Sequence, residues 1–142
     1  MTLLKEVIQP SKEFSVVVDD LIKEGATIID SGEYGTALEL NGRVFKVTTD
    51  SEELEDAQQI LQIKTKYFAY IHGVTVYSSN LGTIEMQLLY PYTGTEAQVP
   101  IENIKKEAEE LGIYPDLEGT GGSIRMQNIM QDSKGRVKVI DV

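Results

Sequence analysis

Five residues in this sequence are of types, and at spacings, that suit phosphate or metal chemistry. Lys46 is in a short β-type run that follows a glycine turn containing Gly32 and Gly35. Such glycines let backbone N–H groups approach an anion, and the lysine adds a fixed positive charge. Further along, Asn128 and Asp141 flank a short predicted hairpin, and oxygen ligands on the two ends of a rigid hairpin suit Mg²⁺. These residue types are chemically compatible with an anion and with Mg²⁺, and the alternative is two ordinary surface hairpins.

Three helices are predicted to position these residues. They cover residues 11–24, 51–65 and 101–111. The second helix begins where Asp50 and Glu53 have the spacing of a capping box, and its apolar residues share one face. Gly25 and Gly112 end the first and third helices, as glycines commonly do.

The β-type runs predict an antiparallel sheet and a final hairpin. The expected strands cover residues 26–30, 36–40, 43–48, 67–77 and 83–90, and the final hairpin pairs residues 129–130 with 137–140. Asn41-Gly42 between two alternating runs is a strong hairpin signal. Because the first three strands are joined too tightly for parallel crossovers, the fold class is α+β with an antiparallel sheet.

Composition limits the classes of function. The 142 residues include 41% hydrophobic and 25% charged side chains, which is typical of one folded domain. A net charge of −10 argues against nucleic acid and anionic membranes as partners. With no cysteine and His72 as the single histidine, a zinc site is not expected. The N-terminus lacks the order of a signal peptide and no apolar run reaches membrane-spanning length, so a cytoplasmic protein is expected.

The glycine turn and the following strand resemble the protein-kinase superfamily. The family's glycine-rich loop reads G-x-G-x-[FY]-G-x-[VA], and its third strand carries a lysine that meets the α and β phosphates of ATP. Gly32, Tyr34, Gly35 and Ala37 match that loop, whereas Asp30 stands at its first glycine. Val44-Phe-Lys46-Val47 is similar to the strand motif.

The C-terminal segment resembles a second part of the same family. Asn128 is similar to the asparagine of the catalytic loop, and Asp141 to the aspartate of the D-F-G motif. Their separation of 13 residues, with a hairpin between them, suits the family, in which both side chains hold Mg²⁺. The two matching parts occur in the family's order.

The resemblance implies a kinase-like small lobe, a short remnant of the large lobe, and ATP and Mg²⁺ as ligands. The single domain of residues 1–142 would comprise an N-terminal helix (1–25), the nucleotide-binding small lobe (26–92) and the remnant (93–142). Lys46 would bind phosphate, and Leu88 to Tyr92 would be the hinge that meets adenine, Leu88 and Tyr90 included. Glu53 shares the inward face of its helix and would pair with Lys46.

The sequence departs from the family pattern at the position of the catalytic base. The family places an aspartate five residues before the asparagine, and here that position is Ser123. In a gapped alignment Asp116 takes this role, and residues 119–125 are roughly an insertion. The alternative for Asp116 is a Pro-Asp turn that follows a helix.

The sequence ends at Val142, so the remainder of the D-F-G motif, the activation segment and the substrate-binding helices of a kinase are expected to be missing. Two functions follow from the resemblance: a minimal phosphotransferase, or a pseudokinase-like protein that acts on a protein partner. A third interpretation is a plain α+β domain whose motif matches are coincidental. Compact chains of this kind occur among phage and mobile-element proteins.

Overall fold

The computed structural model describes residues 13–32 and 35–140. The α-helices in these ranges are α1 (Phe14–Lys23), α2 (Ser51–Gln59) and α3 (Ile101–Leu111). The strands are β1 (Thr27–Ser31), β2 (Gly35–Leu40), β3 (Arg43–Thr48), β4 (Ile71–Ser78), β5 (Leu81–Gln87), β6 (Tyr90–Pro91), β7 (Ile129–Gln131) and β8 (Val137–Val139). None of these helices is long and apolar enough to cross a bilayer.

The larger sheet has five antiparallel strands in the order β1-β2-β3-β5-β4. Asn41 and Gly42 adopt positive φ angles of 54° and 80° in the tight turn between β2 and β3, as the Asn-Gly signal predicts. The central strand β3 pairs with β2 on one side and β5 on the other, which aligns Lys46 with Ala37 and Ile84. The predicted α+β class with an antiparallel sheet is confirmed.

Helix α1 covers one face of this sheet. Val17 and Val18 are buried in a small cluster with Leu38, Val47 and Leu81. The helix ends before Gly25, whose φ of 110° is a conformation that side chains rarely adopt. Its apolar face therefore packs on the sheet.

The main hydrophobic core lies on the opposite face. It joins the sheet to α2, α3 and a second sheet of order β6-β7-β8. Fully or almost fully buried members of this core include Ala57, Ile60, Phe68, Ile71, Ile84, Ile104, Ile129 and Val139. The two parts of the chain on either side of residue 92 thus share one core.

Three predicted boundaries are wrong, and tertiary pairing explains each. Helix α2 ends at Gln59, not near 65, because the chain turns at Gln62 (φ 58°), whose N–H bonds to the carbonyl of Ile71. The strand expected at 67–77 begins at Ile71, since Phe68 instead bridges to Val139 in the second sheet. The strand expected at 83–90 ends at Gln87 because the chain crosses to the second sheet.

The start of α2 matches half of the predicted capping box. The Asp50 carboxylate accepts hydrogen bonds from the N–H groups of Glu52 and Glu53, at 2.9 and 3.3 Å. The reciprocal bond from Glu53 to the Asp50 N–H is not made. That N–H donates to the Thr48 hydroxyl at 3.1 Å, which leaves the Glu53 side chain to turn toward the sheet.

Candidate functional site

Lys46 and Glu53 form an ion pair between β3 and α2. Lys46 projects from the central strand toward the face that α2 covers, and Glu53 occupies the first turn of that helix. The Glu53 side chain is only 4% exposed, whereas the Lys46 side chain is 28% exposed. The pair expected from the sequence is therefore present, with its carboxylate buried and its ammonium accessible to water.

The glycine turn joins β1 to β2. The Gly32 N–H donates to the Gly35 carbonyl at 2.8 Å, while Tyr34, between them, lies outside the described residues. A Cβ placed on Gly35 would lie 2.5 Å from the backbone oxygen of Val47, so no larger residue fits there without movement. Gly32 has open space around it and no such steric requirement. Gly35 brings the turn close to the strand that carries Lys46.

The segment expected to be the hinge connects the two sheets. It leaves β5 after Gln87, Leu88 packs against the main core, and Tyr90 pairs with Gln131 in β7. The Tyr90 side chain is 44% exposed. The segment thus connects the two sheets, and its role as a hinge stays a prediction.

Asp116 and Asn128 are brought together although 12 residues separate them. The side-chain amide of Asn128 donates to the backbone carbonyl of Asp116 at 2.7 Å. The intervening chain folds back on itself, because the Arg125 N–H donates to the Leu117 carbonyl at 2.8 Å. Ser123, which occupies the family's base position in an ungapped alignment but cannot act as a base near neutral pH, lies in this loop and donates its hydroxyl to the Thr120 carbonyl.

Arg125 is a member of this group that the sequence analysis did not identify. Its Nε lies 3.0 Å from Asp116 Oδ1 and donates to the Glu118 carbonyl at 3.3 Å. The contact depends on closure of the 117–125 loop, and no local motif marks it. Among the described residues, Asp116 pairs with Arg125 and not with Lys46.

Helix α2 is tied to the segment that leads into Asp116. The Tyr114 N–H donates to Asp56 Oδ2 at 3.2 Å, and the Gln59 side-chain amide donates to the Leu111 carbonyl at 3.3 Å. Burial raises the pKa of the Asp56 carboxyl, and this effect is larger than the lowering of the pKa by the hydrogen bond from the Tyr114 N–H. The helix that carries Glu53 and the segment that carries Asp116 are thereby linked at their surfaces.

One of the two expected metal ligands, Asn128, lies at the start of the β7–β8 hairpin. Asn128 ends a 3₁₀ turn before β7, and its carbonyl accepts a hydrogen bond from the Ile140 N–H at 3.2 Å. Asp141 follows Ile140 directly but lies outside the described residues. Within 13–32 and 35–140, no three His, Cys, Asp or Glu side chains form a metal-binding group.

Asp132 holds the turn of this hairpin. Its carboxylate accepts hydrogen bonds from the N–H groups of Lys134 and Arg136, both at 2.9 Å, and from the Arg136 guanidinium at 2.7 Å. Burial alone would raise the pKa of this carboxyl, but these bonds and the arginine charge together lower it. The sequence identified Asp132 only as a turn residue.

The comparisons with known proteins bear on the fold. No protein-family model matches the sequence, and no curated protein matches it. The kinase PK-1 of Cydia pomonella granulovirus superposes with a TM-score of 0.51 at 12% identity, over 88% of this chain and 57% of the viral chain. The aminoglycoside phosphotransferase APH(4)-Ia gives a TM-score of 0.42 at 14% identity, over 67% of this chain and 38% of its own. This chain therefore spans little more than half the length of the viral kinase and less than half the length of the phosphotransferase.

At these identities the likeness concerns the fold. The match to the viral kinase covers 88% of this chain, which has a five-stranded antiparallel sheet and a second, three-stranded sheet. The chain has a protein-kinase-like fold, with a small lobe followed by a short additional segment.

Proposed function

We propose that this chain binds ATP together with Mg²⁺ in the manner of a protein kinase. The Lys46–Glu53 ion pair is the observation that carries the proposal. A buried ion pair adds little stability compared with an apolar pair of the same size, so its presence calls for another role. Here it fixes an accessible ammonium group on the central strand, where the ammonium can meet phosphate.

The surroundings of Lys46 fit a nucleotide. Gly35 has no Cβ, which lets the glycine turn approach the Val47 carbonyl on the strand that carries Lys46. The backbone of the Leu88–Tyr90 segment, which connects the two sheets, would take the adenine. The nucleotide would thus extend from this segment toward the glycine turn.

Asn128 and Asp141 fit Mg²⁺ by their chemistry. Mg²⁺ in phosphate-binding sites is commonly held by one or two protein oxygen ligands, with phosphates and waters completing the shell. The Asn128 amide nitrogen donates to the Asp116 carbonyl, and because Mg²⁺ takes oxygen ligands, the amide oxygen would be the atom that binds the ion. When bound, the ion would neutralise charge on the phosphates.

For phosphoryl transfer, Asp116 is the candidate base. Its backbone is fixed by Asn128, and its carboxylate is half-exposed beside Arg125. The carboxylate would accept the proton of an attacking hydroxyl group while that oxygen bonds to the terminal phosphorus, and the bond from this phosphorus to the bridging oxygen would break to release ADP. The supporting observation is that Asp116 and the candidate metal ligand Asn128 meet directly.

Calorimetric titration with ATP, with and without Mg²⁺, tests the proposal. Saturable binding that strengthens with Mg²⁺ is expected for the unchanged chain. Lys46→Ala and Asp141→Ala are each expected to weaken it at least about tenfold, the effect of one lost charge-assisted contact. Lys23→Ala, an exposed lysine on α1 across the sheet, is the matched control. No binding at millimolar ATP would refute the proposal.

A second candidate function is protein interaction without turnover. Every residue of β1 is exposed, including Ile28 at 48% and Ile29 at 50%, and β1 is an edge strand of the described sheet. Exposed apolar edges of this kind accept an added strand from another chain. If the chain acts only by protein interaction, ATP bound to a stoichiometric amount of the protein is expected to yield no ADP. A phosphotransferase would form ADP when its acceptor is supplied.

A further inference from the structure

A pocket of about 500 Å³ lies between α1 and the larger sheet. Val17 and Leu21 of α1 line one side, and Phe45 of β3, Tyr77 of β4 and Thr83 of β5 line the other. Ligand pockets in proteins commonly measure about 300–1,000 Å³, so a small organic molecule fits this volume. Because α1 covers the face of the sheet opposite the main core, the pocket is separate from the candidate functional site.

Thr83 places a buried hydroxyl group in the wall of this pocket. The residue is 8% exposed, and within residues 13–32 and 35–140 its side-chain oxygen has no hydrogen-bond partner. Its cross-strand neighbours are Val47, which has no polar side-chain atom, and Thr75, whose hydroxyl does not bond to it. Buried polar groups in folded proteins are nearly always paired. This hydroxyl therefore calls for a partner that the described part of the chain does not supply.

The side chains of the pocket favour an aromatic ligand over water. A buried water needs about two to four polar partners, whereas Val17, Leu21 and Phe45 have no polar side-chain atoms. The rings of Phe45 and Tyr77 can pack against a ligand ring. Rotation of Thr83 by about 120° around its Cα–Cβ bond exchanges the hydroxyl and methyl positions, which would turn the hydroxyl toward such a ligand.

The charged residues of the pocket disfavour an anion. Asp20 and Glu24 contribute two carboxylates and Lys23 one ammonium group, all from α1. The whole chain has a net charge of −10, which adds to the repulsion of anions. An uncharged ligand avoids this repulsion and loses less hydration than a cation when it enters an apolar pocket.

We propose that this pocket binds an uncharged aromatic compound that carries one hydroxyl group, which Thr83 recognises through a hydrogen bond. The ring would pack between Leu21 on α1 and Phe45 on the sheet. The hydroxyl of the ligand would supply the partner of the Thr83 hydroxyl. This inference is independent of the proposed nucleotide binding, because the two sites lie on opposite faces of the sheet.

An NMR titration of the ¹³C-methyl-labelled chain with p-cresol and with toluene tests this site. The two probes differ by one hydroxyl group, so toluene is the matched control ligand. For the unchanged chain, saturable shifts are expected at the methyl groups of Val17, Leu21 and Thr83. Thr83→Val keeps the shape of the side chain without its hydroxyl. It is expected to weaken p-cresol binding about three- to tenfold, the effect of one neutral hydrogen bond, while toluene affinity stays within about twofold.

Two further variants control for the location of binding. Thr36→Val removes a buried hydroxyl that is bonded to the Ser31 hydroxyl and lies outside the pocket wall, so it should change neither affinity. Thr75→Trp places a large ring at an exposed position in the pocket wall and should abolish the binding of both probes.

The absence of saturable shifts with p-cresol would overturn the proposal. An unchanged p-cresol affinity in Thr83→Val, or an equal loss of p-cresol and toluene affinity, would also overturn it, because the hydroxyl would then have no part in recognition. Full binding of both probes to Thr75→Trp would place them outside this pocket and overturn it as well. If Thr83→Val does not fold, the same comparison of the two probes in Thr83→Ala decides.

Discussion

Replacement of Lys46 by methionine is expected to destabilise the fold by leaving the Glu53 carboxylate buried without its partner. The Glu53 side chain is 4% exposed, and its described ion-pair partner is Lys46. Breaking a buried pair by removing one member costs about 3–5 kcal/mol, because the remaining charge is uncompensated. Since the Lys46 side chain is 28% exposed, water can approach the vacated position, and we expect the lower end, about 3 kcal/mol.

The double variant Lys46→Met/Glu53→Leu carries the sharper expectation. An apolar pair of similar volume replaces a buried ion pair at little cost, so its free energy of unfolding should return to within about 1 kcal/mol of the unchanged chain. The two substitutions should therefore be strongly non-additive, with a coupling energy of roughly 2 kcal/mol. Nucleotide affinity should stay lost in the double variant, which separates the stability of the pair from its proposed role.

Urea denaturation followed by circular dichroism measures these differences. At a slope of about 2 kcal/mol per molar urea, the loss in Lys46→Met lowers the midpoint by roughly 1.5 M. Arg43→Met is the matched control on the same strand, because its ion pair with Glu85 is exposed and should contribute less than about 1 kcal/mol. Equal effects of Lys46→Met and Arg43→Met, or additive effects in the double variant, would refute the assignment of a buried pair.

Two further predictions concern the elements around the site. Asp132→Asn should destabilise the hairpin by about 2 kcal/mol at neutral pH, because a charged acceptor of three hydrogen bonds is lost. The pKa of Asp132 is lower in the folded state than its ordinary value of 3.8. The stability that its carboxylate contributes is therefore fully present above pH 3.8 and is lost as the pH falls through the folded-state pKa. The urea midpoints of the unchanged chain and of Asp132→Asn should therefore converge in acid. Gly82→Ala should cost about 1–3 kcal/mol, because its Cβ would lie 2.5 Å from Leu54 Cδ2 and 2.8 Å from the Thr75 oxygen. Gly32→Ala, where the space is open, is the control in thermal unfolding, and an equal loss there would contradict the steric argument.

Local signals in the sequence predicted the elements that local interactions determine. Asn41-Gly42 forms the tight turn, Asp50 caps α2, and Gly112 ends α3 with a φ of 74°. Errors arose where distant pairing competes with local pattern. The sequence of residues 67–70 predicts part of a strand of the larger sheet. In the structure Phe68 instead forms a bridge with Val139 of the second sheet.

In the candidate site as well, contacts set by local structure were predictable from the sequence, whereas contacts set by loop closure were not. The orientation of Glu53 toward the sheet followed from its helical phase, and the ion pair with Lys46 is present. The contact between Asp116 and Asn128 depends on the closed 117–125 loop. The gapped alignment predicted an insertion there but did not predict how the loop closes. Arg125 could not be found from the sequence, because its place beside Asp116 exists only after that loop closes.

The most direct test of nucleotide binding is an NMR titration of the ¹⁵N-labelled chain with Mg²⁺–ATP. Saturable shifts are expected for the backbone amides of Gly35 in the glycine turn, of the Leu88–Tyr90 segment and of Asn128. Amides of α1, on the opposite face of the sheet, are expected not to shift. The absence of saturable shifts, or shifts confined to α1 and the β1 edge, would contradict the proposed site.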